Sequence, residues 1–157
     1  MMGFTLANNF FEDFKVGTVM RHARGKTIEA AEHVLITNLT MNTAQGHFND
    51  HQAKTTRFGQ RIVFGGYTAS LVIGLASQDT SENAVAELGL DKIRLPFPVI
   101  SGDTLYAYTE VLEVNDDGHA EGGIVRFKHW GVNQDDKIVF EGERITRVRR
   151  RSKAIKI

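Results

Sequence analysis

The sequence contains no cysteine. That excludes a disulfide framework, a thiolate nucleophile and any cysteine-ligated metal centre, and it is compatible with a reducing cytoplasm, the location we expect. Net charge is missing too, with 19 Lys plus Arg against 19 Asp plus Glu. A balanced chain has no overall field to draw in nucleic acid or an anionic membrane surface, so neither is expected as a partner. The one local imbalance is the basic tail Arg147-Val148-Arg149-Arg150-Arg151-Ser152-Lys153, which reads first as a solvated terminus and only second as an anion site. Long hydrophobic runs are absent. The longest apolar-rich stretch, Tyr67 to Ala76, is interrupted and too short to cross a bilayer. The opening MMGFTLANNFFEDF lacks a basic segment followed by a long apolar one, so a secretory signal is not expected. No GxSxG, P-loop, GxGxxG or HExxH pattern occurs, and no repeat or linker interrupts the chain.

What remains is 157 residues, a length that favours one domain over 1–157 and can bury roughly 70% of its unfolded surface. The chain is organised around 42–77, NTAQGHFNDHQAKTTRFGQRIVFGGYTASLVIGLAS. Its first half is polar, with His47, Asn49, Asp50 and His51 within five residues; its second half is apolar and begins at Gly65-Gly66. A polar loop that feeds an apolar helix through two glycines suits a site on a helix N-terminus, where backbone N–H groups are unpaired and a ligand can come close.

In the order of the chain, Phe10, Phe11 and Phe14 are expected to pack against a domain edge, and Val19–Ile28 reads as a polar first strand. Thr27 is expected to cap a helix over Glu29–Met41, with Ala31, Val34, Leu35 and Leu39 at helical spacing. A short helix is expected around Asp50–Arg57. Gly66–Gln78 reads as a helix buried nearly all round, in which Gly74 implies close packing. Ala84–Gly89 reads as a helical turn. Strands follow at Asp91–Val99, Thr104–Val114, Gly122–Asn133 and Lys137–Val148, joined largely by tight turns. A strand meander needs one face covered, and one apolar helix would cover it, so the expected class is α+β.

Several residues carry chemistry or a blander alternative. His47 suits a general base near neutral pH, or is simply a hydrogen-bonding loop histidine. Asn42, Asn49, Asp50 and His51 suit a site, or are turn formers. His47 and His51 are spaced like a metal pair on a helix, but with no third ligand no metal is expected. Gly65-Gly66 marks a ligand approach or tight helix–strand packing. Tyr106, Tyr108 and Trp130 are expected to pack on the sheet, with a pocket lining as the alternative.

Three features resemble the MaoC-like family of hotdog-fold acyl-CoA dehydratases and (R)-specific enoyl-CoA hydratases. The first is His47, followed by Ala53 and Thr55-Thr56-Arg57-Phe58; the second is Gln60-Arg61-Ile62-Val63-Phe64-Gly65, with Ser70 beyond it. The third is Pro98-Val99 leading to Gly102-Asp103-Thr104-Leu105. Asn9-Phe10-Phe11-Glu12-Asp13-Phe14, Asn83-Ala84-Val85-Ala86 with Leu88-Gly89, and Gly131-Val132-Asn133-Gln134-Asp135 resemble the mesaconyl-CoA hydratase (β-methylmalyl-CoA dehydratase) branch. The resemblance implies a hotdog fold, an antiparallel sheet wrapped around a long central helix. It implies water addition or removal at the 2,3 position of an acyl-CoA thioester, without a cofactor. It puts His47 and Asn42 in catalysis and Gly65, Gly66, Ser70, Asn49 and Asp50 at the substrate, with Arg57, Arg61 or the 149–153 tail toward the CoA phosphates. It also implies a homodimer or higher homo-oligomer. The rival activities are acyl-CoA thioester hydrolysis and acyl-thioester binding without catalysis. The chain departs from the family in having Asn42 where an aspartate is usual and Phe64 where a histidine is usual. Asparagine takes no proton, so His47 works alone, or Asp50 or His51 stands in.

Overall fold

The structure, a computed structural model, describes residues 3–5 and 9–154, the first three by backbone only. Part of the opening read as non-secretory, residues 1, 2 and 6–8, lies outside these. The described strands form one six-stranded sheet: β1 (Gly3–Thr5), β2 (Val19–Thr27), β3 (Ala84–Arg94), β4 (Thr104–Asn115), β5 (Gly122–Val132) and β6 (Ile138–Arg149). Their order is β1-β2-β4-β5-β6-β3; β1 runs parallel to β2 and every other pair is antiparallel. Four helices precede β3: α1 (Ala30–Leu39), α2 (Gln45–Phe48), α3 (Asp50–Ala53) and α4 (Gly65–Thr80).

Strict alternation builds the sheet. On β4, Leu105, Ala107, Thr109 and Val111 point inward while Tyr106, Tyr108 and Glu110 are partly exposed. On β5, Val125, Phe127, His129 and Gly131 share the inner face. The 16 residues of α4, about 24 Å long, lie against β2, β4, β5 and β6. The helix presses close at Gly131, where a β-carbon would strike Val72. Ile28, Val63, Val72, Val99, Leu105 and Phe140 belong to the core beside the first half of the helix. Phe11, Phe14, Met20, Val111, Val125, Phe127 and Val148 form a second cluster, with Phe14 edge-on to Phe127 at 5.1 Å. The helix-and-sheet arrangement is the α+β one expected, and Tyr108 stacks on Trp130 on the outer sheet face at 5.4 Å.

Several expectations are corrected. Ala84–Gly89 is not a helical turn but the start of β3, because its backbone pairs with β6, as Ala84 with Val148 and Gly89 with Ile145. The strand expected to run to Val99 ends at Arg94, and no tight turn joins β3 to β4, because these strands lie on opposite sides of β5 and β6. Thr27 does not cap α1; its hydroxyl bonds Thr104 across the sheet (2.7 Å), and the Glu32 carboxylate accepts from Glu29 N instead (3.1 Å). On α1 the buried residues are His33 and Thr37, while Leu35 and Leu39 face outward. Helix α4 is not buried all round. Thr68, Val72, Ala76, Asp79 and Thr80 are its buried stripe, Ser70 and Gly74 are exposed, and a β-carbon at Gly74 would meet nothing within 4 Å.

A polar seam runs between the two apolar clusters. Asp79, an acceptor as a carboxylate, takes a hydrogen bond from His22 Nδ1 (2.6 Å). His22 Nε2 then accepts from the Thr109 hydroxyl (2.7 Å), whose oxygen accepts from His129 Nδ1 (2.7 Å). His129 Nε2 and Asp79 Oδ1 are buried with no partner among the described residues. Burial lowers the pKa of His22, outweighing the raising effect of Asp79. Burial pulls His129 down to about 3, with the nearby Arg144 charge in support. Both values lie below the ordinary 6.5. Below that pH the unfolded chain binds protons that the folded chain refuses, so stability falls as pH drops from about 6.5 toward 3. Each such histidine contributes up to about 1.4 kcal/mol per pH unit. We expect thermal melts between pH 7 and pH 5 to show this loss, and His129→Gln to make the slope shallower by about one proton. An unchanged slope in the variant would contradict the assignment.

Candidate active site

The polar loop reaches the helix through a turn that the sequence does not advertise. Met41 adopts a left-handed conformation (φ 58°) just past α1 and turns the chain back, so that Asn42 N bonds Thr37 O (2.9 Å). The next residues form α2, which carries His47, and then α3, which is shorter than the helix expected over Asp50–Arg57. Asn49 is the joint between these helices: its Oδ1 accepts from Gln52 N (3.1 Å) and its Nδ2 donates to Gln45 Oε1 (2.7 Å). Asp50 pairs with Arg61 (2.7 Å) and is largely exposed, as is His51.

Two hydrogen bonds lock this loop to the start of α4. Ile62 N donates to Gly46 O (3.1 Å), and His47 Nδ1 lies 2.7 Å from Ile62 O. A carbonyl only accepts, so Nδ1 carries the hydrogen and Nε2 is the basic atom of the neutral ring. Behind His47 sits the fully buried His33, ring centroids 6.1 Å apart. Phe64 N donates to His33 Nε2 (3.3 Å). His33 is therefore neutral, and burial, reinforced by the charges of His47 and Arg61, lowers its pKa. Its Nδ1 has no partner among the described residues.

Asn42, His47, Gly65 and Gly66 line one cavity of about 500 Å³, together with Arg57, Phe58, Ile62, Phe64, Thr68 and the distant segment Leu95–Val99. Val63 N bonds Val99 O (2.7 Å) and Ile62 bridges Ile100, which brings that segment alongside. The volume lies within the roughly 300–1,000 Å³ of small-ligand pockets. Gly65 and Gly66 are the first two residues of α4, and their N–H groups have no acceptor four residues back. A β-carbon on Gly65 would meet the tip of the Leu95 side chain and one on Gly66 the Phe64 ring, so those side chains would have to move.

Of the residues singled out by sequence, Asn42, His47, Gly65 and Gly66 therefore meet. Ser70 does not join them; its hydroxyl bonds Gly66 O (2.8 Å) and lines a smaller neighbouring groove of about 240 Å³ with Ile36 and Tyr67. Asn49 and Asp50 lie outside the cavity lining. Among the candidates for CoA phosphate, Arg57 lines the cavity, Arg61 is taken up by Asp50, and Arg150 and Arg151 pair with Asp116 and Asp13 beyond the other end of the helix. Sequence reasoning missed His33 and the Leu95–Val99 wall. The one signal for His33 was a polar residue on the inward face of α1. Among the described residues no group of three or more His, Asp or Glu side chains is placed to hold a metal ion.

The family described as mesaconyl-CoA hydratase matches residues 3–150. The β-methylmalyl-CoA dehydratase of Chloroflexus aurantiacus is 41% identical over 106 residues, 68% of this chain and 30% of that protein. The chain spans less than half the length of each of four curated relatives that it matches. Among solved structures, one described as a MaoC domain protein dehydratase from the same organism superposes with TM-score 0.83 at 30% identity, covering 94% of this chain and 48% of the other. A Mycobacterium tuberculosis protein described as a double hotdog fold superposes with TM-score 0.82 over 96% of this chain and 47% of its own; at 19% identity it speaks for the fold alone.

His33 holds the backbone at the head of the helix. Replacing it by Leu leaves the partly buried Phe64 N–H without this acceptor, a loss at the lower end of the about 1–3 kcal/mol typical of a buried group. We expect His33→Leu to lower the melting temperature and His33→Gln, whose carbonyl accepts, to recover part of the loss. A Leu variant as stable as the wild type would rule this role out.

Proposed function

The chain belongs to the mesaconyl-CoA hydratase family, and from that premise we propose that it adds water across, or removes it to form, the 2,3 double bond of an acyl-CoA thioester. The observation that carries this reading is that His47, Asn42 and the unpaired N–H groups of Gly65 and Gly66 line one cavity. In the proposed reaction the thioester oxygen lies at the start of α4. There the N–H groups and the positive end of the helix stabilise the enolate-like charge that develops when water attacks C3. His47 Nε2 takes the proton as the C3–O bond forms and returns it to C2; dehydration reverses both steps. Asn42 orients the water by hydrogen bonding and exchanges no proton. Asp50 is disfavoured as a substitute acid because it lies outside the cavity and is occupied by Arg61.

The names of the relatives suggest four-carbon, methyl-branched CoA thioesters as substrates. A single hotdog domain over 1–157, a cytoplasmic location and assembly into a homodimer or larger belong to the same proposal. Leu88, Leu90 and Ile93 on the edge strand β3 are 41–52% exposed, as are Leu95 and Phe97 of the cavity wall. An apolar sheet edge that runs into the wall of the site supports a second copy lying there, supplying what the longer relatives carry in one chain.

Incubation with crotonyl-CoA and mesaconyl-CoA tests the reading. We expect loss of the conjugated enoyl absorbance; release of free thiol would mean hydrolysis instead, and binding without turnover a binding protein. His47→Ala should cost about 10²–10⁴-fold in turnover with the fold intact; activity within a few-fold of wild type removes His47 from the mechanism. Asn42→Asp should raise turnover on crotonyl-CoA by supplying a second proton acceptor, and Asp50→Asn should change it little. An inactive Asp50→Asn together with no gain from Asn42→Asp would transfer the acid's role to Asp50.

A further inference from the structure

Within α1 and α4 the hydroxyls of Thr37, Ser70, Ser77 and Thr80 each donate to a backbone carbonyl three or four residues earlier, at 2.7–2.8 Å. That is a common fate for a hydroxyl inside a helix. Thr68 is the exception: its hydroxyl forms no hydrogen bond among the described residues. Phe64 O, the carbonyl four residues back, already accepts from the N–H groups of Tyr67 (2.9 Å) and Thr68 (3.1 Å). Thr68 is 2% exposed and lines the main cavity. Unlike His33 Nδ1, its oxygen is not sealed from solvent, so the hydroxyl opens into that cavity. Val63, Val99 and Val139, all buried, share the lining with it. A hydroxyl kept free among apolar side chains is costly unless a ligand uses it.

Its direction says which part of the ligand that is. Side chains on a helix lean toward its N-terminus, over the turn before them. Gly65 lies three residues before Thr68, so the hydroxyl leans over the turn whose first N–H groups are open. We propose that Thr68 is a further catalytic residue, whose hydroxyl donates a hydrogen bond to the thioester oxygen as a third donor beside the N–H groups of Gly65 and Gly66. This rests on the hydration reading above. As the water oxygen bonds to C3, the π electrons of the C2–C3 double bond move into C1–C2, and the carbonyl pair moves onto the thioester oxygen. The backbone N–H groups are fixed, whereas a hydroxyl rotates about its C–O bond and can follow that oxygen as the carbonyl becomes an enolate. A donor aimed at charge that develops only in the transition state acts on kcat. The proton still passes from water through His47 to C2, and Thr68 transfers nothing.

Thr68→Val removes the hydroxyl and Thr68→Ser keeps it. We expect Thr68→Val to lower kcat on crotonyl-CoA roughly 10–100-fold with KM little changed. Its melting temperature should be no lower than that of the wild type, because an unpaired hydroxyl is lost from among valines. Thr68→Ser should keep kcat within about threefold. An unchanged kcat in the Val variant, a rise in KM alone, or an equal loss in the Ser variant would overturn the proposal. Acetoacetyl-CoA gives a readout that needs no turnover. Its enolate carries charge on the thioester oxygen and absorbs in the near ultraviolet, so the pH midpoint at which the bound ligand ionises reports the donors around that oxygen. Thr68→Val should raise this midpoint by about one pH unit, a tenfold change in ionisation. If the wild type hydrates neither crotonyl-CoA nor mesaconyl-CoA, the hydration reading fails while the midpoint still judges Thr68. Equal midpoints in the two proteins, or no binding of acetoacetyl-CoA to the wild type, overturn the proposal.

Discussion

Everything at the site depends on the way Ile62 is held. Its N–H and C=O are tied to consecutive residues of α2, Gly46 and His47. The C=O fixes which imidazole nitrogen is basic, and the N–H fixes where α2 sits. One residue further, Val63 is bound to Val99 and fastens the helix start to the far wall of the cavity. Phe64, next again, gives its N–H to His33. These three residues thus join the loop bearing His47, the first turn of α4 and the wall formed by Leu95–Val99. Preorganisation of this kind lets N–H groups act on developing charge without reorganising during reaction.

The two ends of α4 are built on different physics. At the head, N–H groups are left open and glycines remove the side chains that would cover them. At the tail, about 21 Å away along the helix axis, Asp79 is sunk into the core with one carboxylate oxygen paired to His22. The seam of Asp79, His22, Thr109 and His129 places polar groups between two apolar clusters and leaves two atoms without partners among the described residues. A half-satisfied buried network is costly, and its sensitivity to acid follows from the same burial that makes it costly. The cavity lies at the other end of the helix.

Strands β4, β5 and β6 were legible because each has one face in the core, so polar and apolar residues alternate. The end of β3 from Asp91 to Arg94 was read as strand, but its first half was not, because as an edge strand it is exposed along most of its length; Ala84-Val85-Ala86-Glu87-Leu88 taken alone favours a helix, and only pairing with β6 overrides that. Helix α4 was legible as a helix, but its degree of burial was overestimated because Leu71, Ile73 and Leu75 lie on faces that the single chain only partly covers. His47 and Asn42 were singled out by the family resemblance, and both line the cavity. Asn49 and Asp50, though close in sequence, lie outside the cavity lining, Asn49 being engaged as the joint between α2 and α3 and Asp50 paired with Arg61. His33 became visible only when tertiary packing set it against Phe64 and His47, a relation that no local pattern encodes.

In the proposed reaction the thioester is activated at the head of α4, facing His47. The most direct measurement is a crystal structure of the protein with methylsuccinyl-CoA, a saturated thioester that cannot be hydrated. We expect the thioester oxygen about 3 Å from the N–H of Gly65 or Gly66, with C3 facing His47 Nε2. A thioester bound elsewhere, or one in this cavity with its oxygen turned away from both N–H groups, would contradict it.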